Sequence, residues 1–239
     1  MTPNAPGGAI VRPHMGTPLK TPALLALLDP QTSALVRLAA RITGGSELDV
    51  RAGLAECGTA GVPDVWVEEL ILQSYLFAGF PRALNAAREW RRDGDGTRGD
   101  GRRVTGQATS GDGQESYADV YDWRLRGEET CATVYGEMYE KLRGNIRRLH
   151  PQLDEWMIVE GYGKVLSREG LDLPRRELCI VAACVAAQQD RQLHSHLHGA
   201  LNAGVSRAAV DATLVAIRDV VPDGAIVSAS LLWNRVKGK

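Results

Sequence analysis

Apolar residues in this chain recur at intervals of three and four, and no stretch shows the convincing two-residue alternation of a half-buried strand. That pattern disfavours sheet-based folds and predicts an all-α protein. It is clearest in Leu24–Leu28 and in Ala34–Ile42. Proline and serine mark the helix starts: Pro63 or Asp64, Pro81 in a first turn, Pro151, Pro174, Ser206 and Pro222. Glu129 to Leu149 reads as one helix, and so does the stretch from Pro151 to Leu166. A helix from Asp190 to Ala203 is stopped by Gly204.

Helical chains often repeat, and this one does so at an offset of 143 residues when 34–62 is laid on 177–205. Leu35 meets Leu178, Ala39-Ala40 meets Ala182-Ala183, Leu54 meets Leu197, and Ala60-Gly61-Val62 meets Ala203-Gly204-Val205. Further on, Trp90 meets Trp233. The identities are few, but they fall at core positions and helix-end glycines in one register. We therefore expect two related helical units, 19–92 and 127–239, after a flexible arm over 1–18. Between the units, 93–126 is rich in Gly, Asp, Arg and Ser and reads as a linker.

Composition narrows the function classes. Lys plus Arg number 28 and Asp plus Glu 29, so no global positive charge is available for a phosphate backbone. Aromatics are only 5%, too few to supply base-stacking platforms readily. No apolar run reaches the length of about 20 residues that a membrane span needs. The N-terminal apolar stretch is too short for a secretory signal, so a cytoplasmic protein that binds neither nucleic acid nor membrane is expected. Cys57, Cys131, Cys179 and Cys184 form no C-x-x-C and read as small buried side chains.

The chemistry-bearing residues lie in the second half. His194, His196 and His198 share one predicted helix, with His194 and His198 on one face and His196 nearly opposite. A pair spaced four apart can touch a metal, but a catalytic zinc site usually wants a third protein ligand and none is supplied locally, so no metal is expected. His196 shares its face with Leu193, Ala200 and Ala203 and should be partly buried. A buried imidazole needs a partner, and Glu177, near the start of the preceding helix, can reach it if the two helices run antiparallel. A carboxylate there would orient the ring and raise its basicity, giving an acid/base pair. The competing reading is a satisfied core histidine beside a first-turn glutamate favoured by the helix dipole. In the first unit Ala34 stands opposite Glu177 and Gly53 opposite His196, so only the second unit carries the pair.

Gly161-Tyr-Gly-Lys-Val-Leu-Ser-Arg-Glu-Gly-Leu-Asp-Leu-Pro-Arg-Arg-Glu-Leu and His196-Leu-His-Gly-Ala-Leu-Asn-Ala-Gly-Val-Ser resemble the carboxymuconolactone decarboxylase family, which shares its fold with alkyl hydroperoxidase D. Gly127-Glu-Glu-Thr and Val134-Tyr-Gly-Glu extend the resemblance over most of 126–220, and Ala78-Gly-Phe-Pro-Arg-Ala-Leu-Asn resembles the same family in the first unit. The resemblance implies a tandem form of an all-α fold that assembles into rings, such as a trimer of two-unit chains.

The resemblance carries two chemistries. A peroxidase branch uses a Glu, a C-x-x-C and a His; Glu177 and His196 fill the outer places, but Gln189 and Gln192 stand where the two thiols belong. Dithiol chemistry has no route through glutamine. The decarboxylase branch acts on a small lactone carboxylic acid without metal or organic cofactor. There His196 would deliver the proton, Glu177 would hold it, and Arg168, Arg175 or Arg191 would seat the carboxylate. His194 and His198 are not features of that branch, so the substrate can differ. The alternatives are a thiol-linked peroxidase using Cys179 or Cys184, and a non-catalytic assembly or binding member of the family. A packed, dry surrounding of His196 would favour the last.

Overall fold

The structure, a computed structural model, describes residues 27–97 and 117–238. The described residues form eleven α-helices, one 3-10 turn and one π-helix, with no strand among them. The expected arm over 1–18 lies outside the described residues. So does the middle of the expected linker, 98–116; at its two ends helices run to Thr97 and resume at Tyr117.

The first four helices are α1 (Pro30–Gly44), α2 (Glu47–Thr59), α3 (Asp64–Ala78) and α4 (Phe80–Thr97). Asp29 caps α1 by accepting from the Thr32 N–H, and Ser46 and Asp49 form a reciprocal capping box on α2. The next elements are α5 (Tyr117–Tyr135), the 3-10 turn Gly136–Met138, α6 (Tyr139–Leu149) and α7 (Pro151–Trp156), which continues as the π-helix Met157–Leu166. The last four are α8 (Leu173–Ala186), α9 (Asp190–Asn202), α10 (Arg207–Ala216) and α11 (Asp223–Lys237).

Two sequence expectations change here. The helix expected from Glu129 to Leu149 is broken at Gly136, whose φ of +52° belongs to the left-handed region that glycine enters without steric penalty. The α-helix expected from Pro151 onward lasts six residues before it widens. Gly163 lies there against the backbone of α5, so close that a Cβ would sit on the Trp123 carbonyl; Gly127, on α5, faces the Ile158 carbonyl in the same way. Two backbones meet where neither carries a side chain, and α5 packs along the π-helix.

The core centres on α1 and α8, which pack against each other and bury most of their circumference. Leu35, Leu38 and Ile42 meet the region of Leu178, Ile180 and Val181, all within one buried cluster. The helix starts keep the sequence register. α8, α9, α10 and α11 each begin 143 residues after α1, α2, α3 and α4 respectively. Gly61 and Gly204 both have positive φ after the second helix of their set. The buried indoles repeat as well. Trp90 Nε1 donates to Glu68 at 3.4 Å and Trp233 Nε1 donates to Asp211 at 2.7 Å, each across a gap of 22 residues.

Candidate functional site

α8 and α9 form an antiparallel hairpin joined by a three-residue turn, which is the arrangement that brings side chains 19 positions apart together. Asp172 caps α8 by accepting from the Arg175 N–H at 2.9 Å, fixing the start from which Glu177 projects. His196 Nδ1 lies 2.9 Å from Glu177 Oε2. Glu177 is fully buried and His196 is 5% exposed. The neighbouring turn of α9 makes this possible. At Gly199 a Cβ would fall 2.7 Å from Glu177 Oε2 and 2.7 Å from Val134 Cγ1, so the carboxylate occupies space that any other residue would fill.

The bond to Nδ1 places the other ring nitrogen, Nε2, on the side away from Glu177. Among the described residues only Arg41 Nη1 and Glu177 Oε1 are fully buried side-chain polar atoms without a hydrogen-bond partner. Among the described residues His196 Nε2 makes no hydrogen bond, and the residue keeps 5% of its surface exposed. One nitrogen is thus anchored and the other is not. The carboxylate keeps one oxygen, Oε1, unengaged inside the protein.

Aromatic rings wall the imidazole. Phe77 of α3 meets it edge-on at 5.5 Å between centroids, and Tyr135 at the end of α5 lies at 6.5 Å. Tyr162 of the π-helix meets Tyr135 at 6.1 Å, again edge to face. Burial pushes the Tyr135 phenol up to about 12. Tyr162, deeper still, is pushed well above the usual phenol range by burial. These three rings come from helices far apart in sequence, and residue spacing gave no signal for them.

The three candidate arginines are not gathered at this pair. Arg168 grips the Glu69 carboxylate, with Nε and Nη2 each 3.0 Å from Oε1. Arg175 bonds Asp172, Thr32 and Asp29 and stacks on Trp66 with 4.3 Å to the ring centroid. Arg191 is exposed in the first turn of α9, and its guanidinium has no partner among the described residues. Gln189 is the N-cap position of α9, and Gln192 is exposed in its first turn. His194 and His198 stand one turn apart with ring centroids at 4.9 Å, and among the described residues no third His, Cys, Asp or Glu joins them as a metal-binding group.

All four cysteines are free and buried. Burial pushes Cys57, Cys131 and Cys184 up to about 12 and raises Cys179 as well. Two surface cavities of about 210 Å³ each are lined by other residues, one around Cys57 and Trp90, the other around Leu214 and Trp233. Among the described residues no helix is long and apolar enough to cross a membrane.

Comparison with known proteins follows the same part of the chain. Residues 151–233 match the model of the carboxymuconolactone decarboxylase family. The chain is also 27% identical over 145 residues to peroxisomal protein 2 of Schizosaccharomyces pombe, a match that spans 60% of this chain and 63% of that relative's length.

Proposed function

Residues 151–233 match the carboxymuconolactone decarboxylase family, and from that likeness we propose that the chain is a member of it and carries out cofactor-free decarboxylation, or related proton transfer, on a small lactone or carboxylic acid. The observation that carries this reading is the buried Glu177–His196 bond of 2.9 Å. The carboxylate fixes which nitrogen is anchored and orients the ring. In the reaction the bond between the carboxylate carbon and its neighbour breaks and carbon dioxide leaves. The electron pair passes into the conjugated carbonyl, whose oxygen takes the charge. His196 Nε2 then protonates the carbon and recovers its proton from solvent.

The two-unit organisation belongs to the same proposal. Units over 19–92 and 127–239 account for the shared 143-residue register of helices, turns and indoles. Phe77 lies in the first of them, so the first unit would complete the wall of a site whose acid/base pair is in the second. Assembly into a ring of such chains, in the cytoplasm, is part of this reading.

A non-catalytic binding member is the second reading, favoured by the close burial of Glu177 and His196, and a thiol peroxidase is the weakest. A nucleophilic thiolate needs a lowered pKa and access, and Cys179 and Cys184 have neither. Ultraviolet-monitored decay of 4-carboxymuconolactone with the protein and with His196→Ala tests the proposal. Turnover by the wild type that falls by 10³-fold or more in the variant is expected for loss of an acid/base group together with its orientation. Absence of turnover with the wild type would remove this substrate and favour a binding role.

A further inference from the structure

Tyr135 is the last residue of α5, and three contacts hold it there. Asn202 Nδ2 donates to the Val134 carbonyl at 2.8 Å, fixing the backbone just before it. Gly136, with positive φ, turns the chain away just after it. Val134 packs into the gap above Gly199, the same gap that admits the Glu177 carboxylate. The phenol is therefore carried on a fixed backbone beside the acid/base pair. Its ring is half-buried, so it is not sealed in the core as Tyr162 is.

We propose that the Tyr135 hydroxyl, backed by Tyr162, is the hydrogen-bond donor that receives the oxyanion formed when His196 transfers a proton. This rests on the reading of His196 as the acid/base group, but it does not depend on which acid is the substrate. Decarboxylation leaves charge on a carbonyl oxygen, and a prepared donor next to that oxygen is commonly the largest catalytic contribution. Of the three groups in ring or hydrogen-bond contact with the imidazole, Phe77 has no donor and the Glu177 carboxylate would repel an anion, which leaves Tyr135. Tyr162 acts as a positioning residue. Its buried ring meets that of Tyr135 edge to face at 6.1 Å and so fixes the direction of the phenol. The phenol remains protonated at neutral pH, as a donor must. The aromatic neighbours Phe77 and Tyr135 suit a flat, conjugated substrate.

The test uses 4-nitrophenol as the probe, because its visible absorbance reports whether it binds as phenol or phenolate. The full-length wild type is expected to bind the phenolate preferentially and to lower the pKa of the bound probe. Tyr135→Phe removes one oxygen atom and should weaken phenolate binding by about 10- to 100-fold and abolish the pKa change, the loss expected for a bond to a charged group. Tyr162→Phe keeps the ring and should weaken it by a few-fold at most. Far-ultraviolet circular dichroism and melting curves establish that both variants fold. A folded Tyr135→Phe variant that keeps wild-type phenolate affinity overturns the proposal, and so does a wild type with no preference for phenolate. Tyr135-dependent phenolate binding without turnover of 4-carboxymuconolactone would support the donor while removing the substrate reading. Turnover without Tyr135-dependent binding would do the reverse.

Discussion

Gly199 shows how one missing side chain builds the pair. Its α-carbon faces both Glu177 Oε2 and Val134 Cγ1, and a methyl group would approach each at 2.7 Å. Neither neighbour can retreat cheaply: Glu177 is on the central helix α8, and Val134 is held through its carbonyl by Asn202. Gly199→Ala gains about 0.5–1 kcal/mol from helix propensity but overpacks a full core, which costs typically 1–3 kcal/mol. We expect a net loss of about 1–2 kcal/mol in urea denaturation, with the carboxylate displaced from His196. Activity should therefore fall more than stability, and a variant with wild-type turnover would show that the bond is not used.

At the scale of elements, the contact between α5 and the π-helix is the tightest backbone approach described. Gly163→Ala puts a methyl group onto the Trp123 carbonyl, and since the obstacle is backbone, the helices must separate. A loss of about 3 kcal/mol is expected, at the upper end for overpacking. Tyr162 precedes Gly163, so its interaction with Tyr135 should loosen too, visible as a change in near-ultraviolet circular dichroism. A second junction depends on charge. Asp154 on α7 pairs with Arg143 and Arg147 of α6. Hydrogen bonding to Arg143 first, and then to Arg147, holds its carboxyl below the usual range. A carboxyl depressed in the folded state contributes its stability fully above its unfolded pKa, near 3.9, and loses it as pH falls through the lower folded value. Asp154→Asn should therefore lower the melting temperature at neutral pH, by about 1.5–3 kcal/mol of stability, and flatten its decline below pH 4. A parallel decline in both proteins would count against this assignment.

These elements also show what a sequence can carry. Helix starts were legible because Pro63, Pro151, Ser206 and Pro222 act on their own neighbours, and each stands within a residue of an observed start. Glu177 and His196 were legible because a short hairpin turns sequence distance into geometry. The π-helix was not, because its cause is the backbone of another helix pressing on Gly163. The aromatic wall was not, because Phe77, Tyr135 and Tyr162 meet only after four helices have packed. Arg168 and Arg175 illustrate the converse. Their charge marked them as carboxylate ligands, but the nearest carboxylates belong to the protein.

Across the whole molecule, the two halves of the described chain are joined by a buried ion pair that also bears on the site. Arg176 is 0% exposed, and its Nη2 donates to Glu69 Oε2 at 2.7 Å. Its other hydrogen bonds go to Gln73 Oε1, the Leu171 carbonyl and the Arg168 carbonyl, so each guanidinium nitrogen has a partner. Burial lowers its pKa, and Glu69 acts against that shift. Glu69 and Phe77 both lie on α3, and Arg176 and Glu177 are neighbours on α8. The pair therefore sets the helix that brings Phe77 against the helix that holds the carboxylate. A buried pair adds little over an apolar replacement, but removing one charge strands the other. Glu69→Gln should cost about 3–5 kcal/mol, measured by urea denaturation, and should also weaken the contact between Phe77 and His196. Adding Arg176→Met should recover a large part of that loss, because no buried charge then remains unpaired. A double variant no more stable than Glu69→Gln would mean that α3 and α8 are held by their apolar contacts, and that the ion pair sets only their alignment.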